Sequence, residues 1–438
     1  MTQEIQKRIE QIRRGEVPEG YKKTKVGIVP ADWQEHKLSH YLTVNNDKNT
    51  DLKYTKDDVF SISGELGIVN QIELLGRSYA GVSVAPYGIV YPNDVVYTKS
   101  PLKANPYGII KTNKLGVTGI VSTLYAIFHC DNNVSPDYVQ LYFESDHNLN
   151  NYLYPIVNIG AKHDMKISDE GSLRGTVVFP PLPEQEKIAA ILQTEDKVIE
   201  LQQKKIDELK RLKKVYLSKM FPQKGCNVPE IRFPGFTAPW EQRKLGDISE
   251  IKTGPFGSTL HADDYVSDGT PIITTEHFKT GTLPRSKNGL PQVSDADYKR
   301  LTAYTLDDGD IVFSRVGSVD INALITPFQS NWLFSGRVLR VRPQTNISSQ
   351  FLHTRLETGS IKADIRARAV GQTMPSINTE ILKITPLVLP TSAAEQEQIG
   401  SYFAAIDNLI TLHQRKCDEE KQKKKALMQL LLTGIVRT

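Results

Sequence analysis

The chain has 438 residues, of which 39% are hydrophobic and 24% are charged, and its formal net charge is +4. This length exceeds what one hydrophobic core serves and is typical of two or three soluble domains. The small net charge excludes a general polycation, so nucleic-acid binding would require local basic clusters. No apolar run is long enough to cross a bilayer. Three widely spaced cysteines, Cys130, Cys226 and Cys417, favour a reducing cytoplasm.

Residues 1–28 open with MTQEIQKRIEQIRRG, a charged helical pattern unlike a signal peptide. We expect this segment to complete a helical repeat. Residues 29–179 mix two patterns. Runs such as YGIVYPNDVVY and GIVSTLYAIFHC predict strands, while Ser135 followed by Pro136 predicts the start of a helix. The sequence therefore predicts an α/β or α+β domain.

A long helix is predicted over residues 180–221, where three prolines precede the acidic start PEQE. Its apolar residues recur with mostly heptad spacing, which indicates a coiled-coil seam. A linker rich in proline and glycine follows at 222–235. A second domain at 236–389 and a second helix at 390–438 complete the predicted order.

The two halves repeat each other. Residues 184–221 align without a gap to residues 395–432, and 14 of the 38 aligned positions are identical. Upstream, ADWQEHKL at Ala31 corresponds to APWEQRKL at Ala238. The repeat predicts two pseudo-symmetric globular domains separated by two long antiparallel helices. Gln202 and His413, at equivalent positions near the helix midpoints, are expected to form a polar layer that fixes the alignment.

No catalytic motif stands out, since the Walker A, HExxH and GxSxG patterns are absent. ANPYG at residues 104–108 resembles a methyltransferase motif but lacks its second proline, so we interpret it as a turn. Asp137 with Asp164-x-Lys166 fits a loose metal-nuclease pattern, although Asp137 is better explained as a helix-start residue. His36 and His40 have no third ligand nearby in the sequence, so core or surface roles are favoured. We predict no catalytic, cofactor or metal site.

Each predicted domain contains a basic cluster next to polar side chains that could contact base edges. Ordinary surface charge is the alternative interpretation of these clusters. From local charge and loop chemistry we predict the following DNA contacts: Lys99, Lys103, Lys111, Lys114, Arg315, Arg337, Arg366, Arg368, Gln372 and Thr373.

Across nearly its whole length the chain resembles the specificity subunits of type I restriction-modification systems. The resemblance rests on GYKKTKVGIVPADWQEHKL, PPLPEQEKIAAIL, RFPGFTAPWEQRKLGDI, KTGPFGSTLHADDY and AAEQEQIGSYFAAIDNLI. It implies two target recognition domains, each of which binds one half of a split double-stranded DNA site, joined by two conserved helices. GPFGS at residues 254–258 has no counterpart in the first domain, where SISGELGIVNQ occurs, so an asymmetric target is expected.

The resemblance also implies the partners. The helices would space the half-sites and bind two methyltransferase subunits, and restriction subunits would join through that complex. S-adenosylmethionine, ATP and Mg²⁺ would be bound by those partners and not by this chain. The residues expected to form the helix seam and the partner contacts are Glu184, Ile188, Leu192, Ile199, Ile206, Glu395, Ile399, Phe403 and Ile410. A coiled-coil scaffold that binds proteins without DNA specificity is the alternative, and a stand-alone nuclease is a third possibility.

Overall fold

The structure, a computed structural model, describes residues 2–102, 105–159, 165–223, 225–255 and 259–438. The chain forms two compact units. Unit 1 comprises Met1–Leu201 with Cys417–Thr438, and unit 2 comprises Gln202–Lys416. Both long helices therefore contribute residues to each unit.

Unit 1 contains short helices and strands that precede the first long helix. Its helices are α1 (Gln3–Arg13), α2 (Gln71–Leu75), α3 (Pro136–Glu144), α4 (Asp146–Leu153) and α5 (Asp169–Ser172), and α6 (Leu182–Lys219) begins in it. Its strands are β1 (Tyr21–Thr24), β2 (Gly27–Pro30), β3 (Gln34–Lys37), β4 (Leu42–Val44), β5 (Phe60–Ser63), β6 (Gly67–Asn70), β7 (Gly88–Val90), β8 (Val95–Thr98), β9 (Ile109–Thr112), β10 (Gly119–Val121), β11 (Tyr125–Cys130), β12 (Asn158–Ile159), β13 (Met165–Lys166) and β14 (Thr176–Phe179).

The main sheet of unit 1 is antiparallel, with the strand order β4-β11-β8-β9. Helix α3 packs on this sheet and begins as predicted, because the Ser135 hydroxyl accepts from the Tyr138 amide and Pro136 occupies the first turn. Ile188 and Leu192 of α6 and Leu431 of the second long helix lie in the same hydrophobic core. The long helices are therefore part of the core of this unit.

Unit 2 repeats this plan with different connections. Its helices are α7 (Leu245–Ile248), α8 (Asp295–Arg300), α9 (Ser349–Leu356), α10 (Gly359–Arg368) and α11 (Thr379–Lys383), and α12 (Ala393–Leu432) begins in it. Its strands are β15 (Glu241–Lys244), β16 (Ser249–Thr253), β17 (Tyr265–Val266), β18 (Thr270–Ile273), β19 (Gln292–Val293), β20 (Ile311–Ser314), β21 (Asn322–Leu324), β22 (Leu333–Phe334), β23 (Val338–Pro343) and β24 (Pro386–Leu389).

The main sheet of unit 2, β16-β23-β20-β21, has the same antiparallel order as the sheet of unit 1. Both units have a turn that leads into a buried strand, β8 in unit 1 and β20 in unit 2. Asn93 and Gly309 precede them with φ values of 69° and 86°, a region that favours asparagine and glycine. The mixed helix-and-strand class and its internal duplication are thus confirmed.

A pair of strands joins two repeated segments in each unit. One segment is the tryptophan motif, ADWQEHKL or APWEQRKL, and the other is the start of the long helix. In unit 1, β3 directly follows Trp33 and pairs antiparallel with β14, which leads into α6. In unit 2, β15 follows Trp240 and pairs antiparallel with β24, which leads into α12. Two segments about 150 residues apart in sequence therefore repeat together because they form one local structure.

The long helices pair antiparallel through contacts that recur at equivalent positions. In unit 2, Lys213 donates to Asp407, with a shortest N···O distance of 2.7 Å. In unit 1, Lys424 donates to Asp196 at 2.6 Å, and these are the same two positions of the repeat. His413 Nδ1 lies 2.7 Å from Gln202 Oε1 within unit 2. The predicted polar pair is therefore confirmed.

His353 of α9 gives unit 2 a pH dependence. Its Nε2 atom is buried without a hydrogen-bond partner among the described residues, and burial lowers the pKa of the imidazole. The charges of Glu357, Lys213, Asp407 and Lys362 partly oppose one another around the ring. The folded state therefore keeps His353 neutral at a pH where the unfolded chain, with a histidine pKa near 6.5, is protonated.

Because the unfolded state then binds more protons, unit 2 is expected to lose stability as pH falls below about 6.5, by at most about 1.4 kcal/mol per pH unit for this residue. Hydrogen exchange of unit 2 peptides between pH 7 and pH 5 measures the loss. His353→Leu should flatten the dependence relative to the wild-type chain. An identical pH dependence in the variant would contradict the assignment.

Candidate nucleic-acid interface

Arginines of two loops meet beside the main sheet of unit 2. Arg315 follows β20 and Arg337 precedes β23, and the Arg315 amide donates to the Arg337 carbonyl at 2.9 Å. The Arg315 guanidinium also donates to the Gly336 carbonyl at 3.1 Å. Arg337 is exposed and Arg315 is half-buried. The antiparallel pairing of β20 with β23 thus brings together two predicted contacts that lie 22 residues apart in the sequence.

The loop at residues 370–376 lies next to these arginines. Val370 and Ser376 exchange backbone hydrogen bonds of 2.9 and 2.8 Å, and the Gly317 amide donates to the Pro375 carbonyl at 2.8 Å. The Ile377 amide donates to the Arg315 carbonyl at 2.9 Å. Gln372 and Thr373 lie at the tip of this loop and are exposed. The base of the loop is therefore fixed, while its polar tip faces solvent.

The remaining arginines of the predicted set end helix α10. Arg366 donates to Asp320 at 2.9 Å and is largely exposed. Arg368 forms a two-bond ion pair with Asp364 of the same helix, at 2.8 and 3.1 Å. These carboxylates reduce the local positive potential, so contact with phosphate would require the arginines to exchange one anionic partner for another.

Two of the predicted lysines of unit 1 are engaged in ion pairs. Lys99 is ion-paired with Asp169. Lys114 donates to Asp137 at 2.6 Å and to the Asn93 side chain at 3.1 Å. Asp137 thus lies in the first turn of α3 with a lysine partner. Lys103 lies outside the described residues.

The exposure expected of Lys111 is not found. This residue of β9 is only 7% exposed, because helix α3 and the hairpin of β5 and β6 pack around its strand. Burial lowers the pKa of the Lys111 amine, while the carboxylates of Glu144 and Asp146 act in the opposite direction. Lys111 therefore does not form part of an open phosphate-binding surface.

At the acidic start of each long helix, a glutamate, a tryptophan and an arginine form a hydrogen-bonded cluster, which we call the clasp. In unit 1, Trp33 Nε1 donates to Glu184 at 3.2 Å, and Arg437 donates two bonds of 2.7 and 2.8 Å to the same carboxylate. In unit 2, Glu395 accepts from Trp240 at 3.2 Å and from Arg232 at 2.7 and 2.8 Å. The carboxylates of the repeated motif therefore fasten the helix start to its own unit.

The glutamines between those carboxylates act in the same way. Gln185 accepts from the Ser135 amide at 2.9 Å and donates to the Pro180 carbonyl at 2.9 Å. Gln396 accepts from the Ser348 amide and donates to the Pro390 carbonyl, both at 3.0 Å. Each glutamine thus links the helix start to the cap of α3 or α9. In the sequence, the only indication of this role is that the helix-start motif and the tryptophan motif are both repeated.

Comparison with known proteins agrees with this architecture. Residues 238–421 match the family model described as the type I restriction modification DNA specificity domain. The chain is 26% identical to the type I restriction enzyme MjaVIII specificity subunit of Methanocaldococcus jannaschii, over 60% of this chain and 62% of that relative. It is 24% identical to the putative type I restriction enzyme MjaX specificity subunit of the same organism, over 96% of this chain and 97% of the relative.

Two solved structures share the fold. One is the type I restriction-modification S subunit from M. genitalium, with a TM-score of 0.53, 13% identity, and coverage of 92% of this chain and 96% of that one. The other comes from a study of complex assembly and conformational transition of the type I R-M system, with a TM-score of 0.53, 16% identity, and coverage of 93% and 99%. Residues 238–421 thus match a type I restriction modification DNA specificity domain, and the chain as a whole is similar to type I restriction-modification specificity subunits.

The residues predicted for the helix seam and the partner contacts are mostly buried within this chain, which corrects the prediction that they contact partners. Ile188 and Leu192 lie in the core of unit 1, and Ile399 and Phe403 lie in the core of unit 2. The two glutamates belong to the clasps. The buried members are Glu184, Ile188, Leu192, Ile206, Glu395, Ile399 and Phe403, while Ile199 and Ile410 are half-buried. Heptad spacing located a mostly buried stripe on each helix, and near the start of each helix the core of its own unit covers that stripe.

The residues considered for other chemistry make structural contacts in the described part of the chain. His36 and His40 stack with ring centroids 4.0 Å apart. Within the described ranges, no group of three or more potential metal ligands is present. Asp164 lies outside these ranges. Asn105, in the turn at residues 105–108, donates to Asp146 at 2.9 Å. No described helix is long and apolar enough to cross a membrane.

Proposed function

We propose that this chain reads a split, asymmetric site on double-stranded DNA, one half-site with each unit, and catalyses no reaction itself. The observation that carries the proposal is that both units share one sheet order and one clasp, while their loops carry different side chains. Two units with the same sheet and clasp but different loop side chains are suited to bind two different DNA sequences. The arginines and the polar 370–376 loop of unit 2 supply groups for phosphates and base edges.

We further propose that methyltransferase subunits bind the exposed faces of the long helices. Leu201 of α6 is 65% exposed and Leu412 of α12 is 44% exposed, and these leucines occupy equivalent positions of the repeat. Exposed leucines that recur on such a face offer apolar surface that a partner could cover. Restriction subunits would join through that complex, and S-adenosylmethionine, ATP and Mg²⁺ would be bound by the partners, all in the cytoplasm.

The test exchanges one domain. Residues 29–179 are replaced by the corresponding domain of another specificity subunit, and methylated adenines are sequenced in cells that contain the methyltransferase partner. We expect one half-site of the methylated motif to change and the other to persist. A change in both halves would contradict the assignment of one half-site to each unit.

The 370–376 loop allows a sharper test. Gln372→Ala is expected to relax the preference at one base position of one half-site by about tenfold or more, since a good base contact contributes about 1–3 kcal/mol of discrimination. Competition binding with duplexes altered at single positions measures the change. Gln242→Ala, which alters an exposed glutamine on β15 of the same unit, is the matched control. Equal loss for all duplexes would instead indicate a phosphate contact.

A coiled-coil scaffold that binds proteins remains the alternative function. It predicts that a complex of this chain with its methyltransferase partner binds DNA with little sequence preference. DNA recognition through lysines and arginines predicts a steep loss of affinity as salt is raised, together with a preferred sequence. Binding titrations at several salt concentrations therefore separate the two functions.

A further inference from the structure

A cleft of about 410 Å³ opens in unit 1 between the tip of the β5–β6 hairpin, strand β9, helix α3 and the first half of α6. The DNA contacts proposed for unit 2 do not use it, whereas Lys111 and Lys114, two of the lysines predicted from the sequence, line it. Lys111 lines this cleft while its side chain is almost completely buried. Among the described residues, no hydrogen bond or ion pair reaches its amine. A largely buried lysine whose ammonium has no direct partner is costly, which points to a missing anion.

The other charges around the cleft are largely satisfied. Asp137 is paired with Lys114 at 2.6 Å. Asp196 is paired with Lys424 at 2.6 Å, and Glu144 lies 3.7 Å from the same amine. Glu65 also lines the cleft, but it is exposed at the hairpin tip and can turn toward solvent. Within the described part of the chain, Lys111 is therefore the charged group of the cleft interior without a direct ion pair or hydrogen bond, although the carboxylates of Glu144 and Asp146 act on it at longer range.

The rest of the lining suits an apolar body. Leu66, Leu115 and Leu141 line the cleft, and Leu66 and Leu115 expose apolar surface to solvent. Gln193 adds an amide from α6. A pocket with one anchoring charge, one amide and several leucines is typical of sites for small molecules.

We propose that this cleft binds a small molecule that carries one carboxylate or phosphate group on an apolar body, with the Lys111 amine as its anchor. The anion would lie against Lys111, and the body would cover Leu66, Leu115 and Leu141. In unit 2, Ala323 occupies the strand position equivalent to Lys111, so the site belongs to unit 1 alone.

The test uses three ring compounds of similar size on the full chain. Benzoate and phenyl phosphate carry the two possible anions, and benzamide is the uncharged counterpart of benzoate. By isothermal titration we expect one or both anions to bind with a Kd of about 1 mM, and benzamide at least about tenfold more weakly. The anion that binds more tightly shows whether the natural ligand carries a carboxylate or a phosphate group. Equal binding of benzamide, or no saturable binding of either anion, would overturn the proposal.

Two variants locate the site. Lys111→Met keeps the length and removes the charge, and it should weaken binding at least about tenfold. Lys114→Met, at a lysine that lines the same cleft but is already paired, should change it less than threefold. Equal losses in both variants would contradict the role of Lys111.

A measurement on the wild-type chain does not depend on how the variants fold. The bound anion should slow acetylation of Lys111 by acetic anhydride at least about fivefold relative to other lysines, as read by mass spectrometry of peptides. No protection of Lys111 would overturn the proposal. Complete displacement of the anion by a non-specific DNA duplex would also overturn it, because Lys111 would then belong to the DNA surface.

Discussion

Replacing Glu395 with alanine is expected to destabilise unit 2 by about 3 to 5 kcal/mol. Glu395 is 1% exposed and accepts hydrogen bonds from Trp240 and from Arg232, whose side chain is only 12% exposed. The substitution would leave a shielded guanidinium and a buried indole N–H without their acceptor. Hydrogen exchange of amides in unit 2, including those of Ile399 and Phe403, measures the loss.

The duplicated clasp supplies the control. In unit 1 the equivalent arginine, Arg437, is 40% exposed and is also paired with Asp32 at 2.7 Å. Glu184→Ala should therefore destabilise unit 1 less than Glu395→Ala destabilises unit 2, because Arg437 keeps water and a second carboxylate. Glu395→Gln should lie between the wild-type chain and the alanine variant. A loss below about 1 kcal/mol for Glu395→Ala would contradict the structural role of the clasp.

Inserting one heptad after Gln202 and a second after His413 is expected to lengthen the spacer of the DNA site. Seven helical residues add about 10 Å, which is close to three base pairs of DNA. Both helices must be extended because they pair antiparallel through Gln202 with His413 and Lys213 with Asp407. The methylated motif, sequenced in cells with the methyltransferase partner, should keep both half-sites and gain spacer length.

A single insertion is the control. A heptad after Gln202 alone keeps the apolar stripe of α6 in phase but moves Lys213 away from Asp407. We expect this variant to lose stability and activity without defining a new spacer. A double insertion that methylates the original motif would contradict the proposal that the paired helices set the distance between half-sites.

The internal duplication made much of the fold predictable. Identical residues at equivalent positions placed two helices, two domains and the Gln202–His413 pair, because a repeated sequence must satisfy the same packing twice. The buried strands β8 and β20 were predictable as well, since apolar runs after Asn93 and Gly309 follow local rules of strand and turn formation.

The individual sites were less predictable. Lys111 and Lys114 are three residues apart in one basic stretch, yet one is buried and the other is half-exposed. Local charge does not reveal which face of a strand another element covers. The position of the 370–376 loop likewise depends on long-range hydrogen bonds. The Gly317 amide donates to Pro375 within the loop, and the Ile377 amide, just after the loop, donates to the Arg315 carbonyl.

The sequence by itself predicted the order of units and helices and their antiparallel pairing, because these follow from repeats and periodic patterns along the chain. Only the tertiary structure decided what the repeated PEQE and AEQE starts do. Their carboxylates bind a tryptophan about 150 residues upstream and an arginine from a distant segment. The pairing of β3 with β14 and of β15 with β24 brings these residues together, and no local sequence pattern predicts that long-range pairing.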